Sequence, residues 1–175
     1  MKKSSELNNM IRAFKDGIYL KSLITTILVV CFLMLPKCGF HTEGASGFQI
    51  INNLLFPLSH ANVFHLLCNV YCIWQIRNLK RYVAPAFIIS FLCSLLPEYL
   101  HNIMGCSGVI FSIVGLKYGE AYRFKDMVKA NWWFFAITAF IPNVAVLFHL
   151  YCIIISFIIG NTFNFVVLWK KKSWL

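Results

Sequence analysis

Six apolar runs organise this chain, separated by short clusters of Lys, Arg, Asn, Gly and Pro. The runs are Leu20–Leu35, Asn62–Ile76, Tyr82–Leu96, Cys106–Tyr118, Trp132–Pro142 and Val144–Trp169. Each is read as a helix. Residues 1–19 form a polar, slightly amphipathic lead-in, and 170–175 a basic tail. The connection Pro36–Ala61 is Gly- and Asn-rich at first and turns apolar at Phe48–Leu58, so its second half suits an interface rather than a crossing. Asn143 after Pro142 is a turn signal, because proline restricts the residue before it and Asn suits turns. The alternative is one long hairpin over Asn131–Trp169 with its turn elsewhere. No internal repeat or low-complexity stretch is visible.

Composition turns these runs into candidate membrane spans. The 175 residues are 59% hydrophobic and 13% charged, with a mean hydropathy of +0.71. Soluble domains are usually about 45–50% apolar, and one soluble core of this size could not hide the surplus. An all-α integral membrane protein is expected: a bundle of six transmembrane helices over 20–169, with no sizeable soluble domain. Several runs fall short of the roughly 20 residues a normal bilayer requires. Local bilayer thinning or burial inside the bundle would accommodate them. Trp132, Trp133 and Trp169 sit where an aromatic belt would place them. The N-terminus does not read as a cleavable signal, since the first apolar run ends in Pro36-Lys37-Cys38 without an A-x-A-like site.

The formal charge of +10 would suggest nucleic acid in a soluble protein. Its distribution excludes that reading. Fifteen of the sixteen basic residues fall before or at the start of the first run, between the second and third, from the end of the fourth to the fifth, or after the last. Lys37 alone lies in a connection of the other parity. Basic residues mark the cytoplasmic side, so both termini are expected to be cytoplasmic, with some attraction to anionic lipid. The seven cysteines lie mostly inside apolar runs, are odd in number and lack paired zinc spacing. Neither a disulfide framework, a metal site nor a cofactor is expected.

Topology then aligns the polar residues. The second, fourth and sixth runs all start from the outer side. His60, His65 and Asn69 lie at the outer end of the second, Ser107 of the fourth and His149 of the sixth. Polar groups at membrane depth are costly and usually functional. Taken singly, a membrane serine is more often a packing residue and a membrane histidine is as often structural. The shared depth raises the joint case. Small residues recur inward from both ends, at Gly108, Ser112, Gly115 and Gly119 and at Cys152, Ser156 and Gly160. Such stripes let membrane helices approach closely, which would bring a hydroxyl to an imidazole and make a serine nucleophile with a general base.

The segment His60-Ala61-Asn62-Val63-Phe64-His65-Leu66-Leu67-Cys68-Asn69, with Gly105-Cys106-Ser107-Gly108 and His149-Leu150, resembles the rhomboid intramembrane serine proteases. The likeness runs from about Phe48 to Gly160. It implies a serine endopeptidase that cuts single-span membrane protein substrates near the outer interface. Ser107 would be the nucleophile, His149 the base of a dyad, and His65, Asn69 and the Ser107 backbone N–H the oxyanion donors. His60, Gly105, Gly108 and Phe111 would support them, the glycines by letting a substrate backbone come close and Phe111 by stacking on His149.

The chain departs from the family pattern at Phe48-Gln49 and Asn52, where many members carry a Trp-Arg pair. Cys152 and Ser156 replace expected glycines, which would set the fourth and sixth spans slightly further apart. The alternative function is an inactive rhomboid-like protein that binds membrane clients. A transporter or haem protein using His65 and His149 would leave Ser107 without a role. A soluble α/β-hydrolase is excluded, because Val109 follows Gly108 and G-x-S-x-G fails. The expected location is a bacterial cytoplasmic membrane, with an organelle membrane as the alternative.

Overall fold

The computed structural model describes residues 2–34, 51, 53–96, 103–138 and 145–172. All regular structure among them is helical. Six helices of thirteen residues or more follow in order: α1 Lys2–Met34, α2 Val63–Gln75, α3 Leu79–Ser94, α4 Ser107–Glu120, α5 Phe124–Thr138 and α6 Val146–Lys172. A 3-10 turn, Phe56–Leu58, lies between α1 and α2. Phe48, Gln49, Asn52 and the Pro142-Asn143 turn lie outside the described residues.

Each apolar run corresponds to one helix, with shifted limits. The polar lead-in is not separate from the first run: α1 continues through it from Lys2. No proline interrupts that stretch, and the isolated Gly17 costs a helix only about 1 kcal/mol. Helix α5 begins at Phe124 rather than Trp132. Its first turns carry Lys125, Asp126 and Lys129, which hydropathy assigns to a loop. Asp126 pairs with Arg123 at 2.5 Å and favours the start of a helix through the macrodipole.

Among the described residues, two helical stretches are long and apolar enough to cross a membrane: Gly17–Met34 of α1 and Val146–Asn164 of α6. The helices α2 to α5 are shorter. At 1.5 Å per residue, thirteen residues of α2 rise about 20 Å and sixteen of α3 about 24 Å.

Helix α4 is central, with Gly108, Ile110, Phe111, Ser112, Ile113 and Leu116 all buried. Its main partner is α6, and the two run parallel. Ser107 meets His149 at one end, and the Asn164 amide donates to the Glu120 carbonyl at the other. Between these ends the backbones touch. A Cβ on Gly115 or Gly119 would collide with the carbonyl oxygens of Ile153 and Phe157, and one on Gly160 would lie 2.5 Å from the Leu116 carbonyl. The expectation of slightly wider spacing at Cys152 and Ser156 is therefore corrected. Both side chains are fully buried, and the glycines opposite and beyond them take up the room. Cys152 packs against Cys93 and Ser90 of α3 and Ser112 of α4, so three helices share one seam of small side chains.

The end opposite Ser107 is tied by Glu120. Its carboxylate accepts from Arg81 at 2.9 Å and from the Tyr82 hydroxyl at 2.9 Å, joining α3 to α4. The Arg81 side chain is mostly exposed, so this pair fixes register more than it stabilises. Helix α1 is held to α2 by Lys21, which donates to the Trp74 carbonyl at 2.8 Å, and by the Trp74 indole, which donates to Thr25 at 3.1 Å.

The backbone contact makes a specific prediction. Gly115→Leu should lower the Tm in mild detergent by about 3–10 °C, since overpacking costs about 1–3 kcal/mol in a chain of this size. Gly17→Leu, which meets open space, should change it by much less. Equal melting of the two variants would contradict the glycine-mediated contact.

Candidate active site

The site forms where α2, α4 and α6 begin. Asn62 caps α2: its side-chain oxygen accepts from the His65 backbone N–H at 2.9 Å. This satisfies one of the free N–H groups of the first turn and fixes where His65 leaves the helix. Asn69, one turn further along the same face, is buried. Ser107 is the first residue of α4. His149 is the fourth of α6, and its backbone N–H is bonded to the Ala145 carbonyl at 3.1 Å.

Ser107 Oγ lies 2.8 Å from His149 Nε2, within reach for direct proton transfer. The two residues are 9% and 6% exposed. With Ser107 donating, Nε2 accepts and the ring proton sits on Nδ1. Nδ1 finds no hydrogen-bond partner among the described residues, so no carboxylate there orients the imidazole. Packing does so instead. Phe111 lies on the ring with centroids 4.9 Å apart, as anticipated. Phe148 and Phe134 flank it at 5.8 and 6.0 Å, and Phe134 and Phe135 of α5 close over Phe111 at 4.7 and 5.4 Å.

His65 and Asn69 gather at Gly105, two residues before Ser107. A Cβ there would lie 2.7 Å from His65 Nε2 and 3.1 Å from Asn69 Nδ2. Gly105 has a φ of +89°, where a side chain is strained as well as obstructed. The Asn69 amide nitrogen is buried without a partner among the described residues. An unsatisfied donor costs about 1–3 kcal/mol, a cost that an acceptor formed during a reaction would remove.

Gly108 has a different role from the one expected. The space beside it is filled, since a Cβ would meet a Phe148 ring carbon at 2.5 Å and Ser90 Oγ at 2.6 Å. Gly105 likewise adjoins His65 and Asn69. Both glycines make room for the protein's own side chains.

His60 stands behind the donors. Its ring is edge-on to His65 with centroids 5.2 Å apart, and its Nε2 is 4.0 Å from the Cys106 sulfur. The 3-10 turn anchors this side. The Phe56 carbonyl accepts from the Gly105 N–H at 3.0 Å and the Ser59 N–H at 3.2 Å, and also from the Ser59 hydroxyl at 3.1 Å. The buried Phe56 ring meets Phe148 edge-to-face at 5.6 Å. Sequence reasoning missed Phe56, Phe148, Phe134 and Phe135. Phe148 adjoins His149 in sequence, which was a usable signal, whereas Phe among many apolar residues carried none.

All eight anticipated residues are thus gathered at one end of the bundle: Ser107, His149, His65, Asn69, His60, Gly105, Gly108 and Phe111. No group of three side chains suited to hold a metal ion occurs among the described residues. No known family, curated protein or solved structure matches the chain.

His60 gives the site a pH signature. Burial pushes its pKa down to about 4, His65 adds to the effect, and the Leu58 backbone opposes it. The unfolded chain titrates near about 6.5 and binds more protons between these values, so stability is present above about 6.5 and lost as pH falls towards 4. The Tm should decline over that window, and His60→Asn should make the decline shallower. An unchanged slope in the variant would show that His60 is not the group responsible.

Proposed function

We propose that the chain is a rhomboid-type intramembrane serine endopeptidase that hydrolyses single-span membrane protein substrates near the outer interface. The 2.8 Å contact between Ser107 Oγ and His149 Nε2 carries this reading. A buried hydroxyl on a neutral ring nitrogen is the arrangement that general-base activation requires. In this reading all six helices span, the termini are cytoplasmic and the host is a bacterial cytoplasmic membrane. The parallel course of α4 and α6 supports it, as does the clustering of basic residues at the opposite end, and the short helices call for a locally thinned bilayer.

His149 takes the Ser107 proton as Oγ attacks the scissile carbonyl. The oxygen becomes anionic and is met by His65, Asn69 and the Ser107 N–H, at the positive end of α4. His149 returns the proton to the leaving amine, giving an acyl-enzyme, then takes one from water, whose oxygen attacks the ester. A helical substrate hides its carbonyls and must unwind locally before attack.

Wild type in mild detergent should react with a fluorescent fluorophosphonate, and Ser107→Ala and His149→Ala should lose the label while melting normally. His65→Ala and Asn69→Ala should each lower turnover of a membrane-segment substrate by about 100- to 1,000-fold. Labelling that survives Ser107→Ala would remove that serine from the mechanism. No labelling of folded wild type, in detergent or bilayer, would favour the client-binding alternative.

A further inference from the structure

The start of α5 carries an exposed surface that the dyad does not use. Lys125, Val128, Lys129 and Trp132 lie within one arc of the helix at spacings of three and four, and all are exposed, Trp132 by 61%. The neighbouring acids are already engaged. Glu120 is held by Arg81 and Tyr82, and Asp126 by Arg123. Lys125 and Lys129 have no carboxylate partner among the described residues. Residues four apart on a helix stand about 5–6 Å apart at Cβ, so two ammonium groups can bracket one phosphate. Trp132, one turn deeper, offers an indole of the kind found at headgroup level.

We infer that this face of α5 binds the headgroup of an anionic phospholipid, with Lys125 and Lys129 on the phosphate and Trp132 against the adjoining glycerol and upper acyl chain. Charge complementarity decides the occupant: two unpaired cations beside an apolar ring match an anionic lipid better than a zwitterionic one, whose own cation opposes them. The site has a structural consequence. Two to three turns on, α5 places Phe134 and Phe135 against Phe111, with Phe134 6.0 Å from His149. Lipid held at one end of α5 therefore tethers the helix whose other end covers the dyad. The inference rests on the membrane reading of the proposed function and not on the dyad chemistry.

The test uses the full chain in nanodiscs doped with brominated phosphatidylglycerol or, at the same mole fraction, brominated phosphatidylcholine. Bromine quenches tryptophan on contact. Quenching by the brominated phosphatidylcholine reports insertion, so its absence would overturn the membrane reading itself. The lipid site predicts additional quenching by the anionic lipid. That excess should be lost in Trp132→Phe and in about 1 M salt, where the Debye length is about 3 Å. In the Lys125→Gln/Lys129→Gln variant the apparent affinity should fall about tenfold or more, each basic residue near an anionic leaflet being worth about fivefold. Arg77→Gln/Lys80→Gln removes the same charge elsewhere and should keep the excess. Equal quenching by both lipids in wild type, equal loss in the two double variants, or displacement by inorganic phosphate would each overturn the site.

Discussion

The direct contact of the α4 and α6 backbones governs everything else in this molecule. Gly115, Gly119 and Gly160 remove the side chains that would hold two helices apart. Small residues let the two backbones approach until close van der Waals fit holds them. A parallel pair fixed this closely along its length has one register, and that register sets Ser107 Oγ on His149 Nε2. The hydroxyl and the imidazole need no local device to find each other. They meet because the helices below them cannot slide.

The second constraint is aromatic. Phe111, Phe134 and Phe148 surround the His149 ring, and no described carboxylate reaches its Nδ1. A buried carboxylate would bring its own desolvation cost, and an aromatic enclosure avoids it. The Phe56 ring backs Phe148, and the Phe56 carbonyl holds Gly105, so one residue outside the long helices braces both the His149 side and the His65–Asn69 side.

How far the sequence could be read depends on the kind of signal. The segments of α2 and α4 were legible because polar residues interrupt long apolar runs at fixed offsets. His65 and Asn69 stood out as polar residues in an apolar run, whereas the capping role of Asn62 did not. The start of α5 was not legible, since a hydropathy window cannot tell a polar helical turn from a loop. The closeness of α4 and α6 was misjudged at Cys152 and Ser156, because spacing depends on what lies opposite a side chain and a single sequence does not say. The neighbours of Gly108 were not legible for the same reason: a glycine announces close approach without naming what approaches, which here includes Phe148 and Ser90.

The meeting of the starts of α2, α4 and α6 has one more consequence. Their first turns converge on the same few ångströms, and each helix N-terminus carries about half a positive charge from its aligned peptide groups. The helix ends therefore add positive partial charge beside Ser107 that comes from the backbone and not from a lysine or arginine side chain. That field belongs to the backbone, so it survives any side-chain replacement that leaves the helices in place. Substituting the polar side chains would leave this backbone contribution in place for as long as the bundle stays folded.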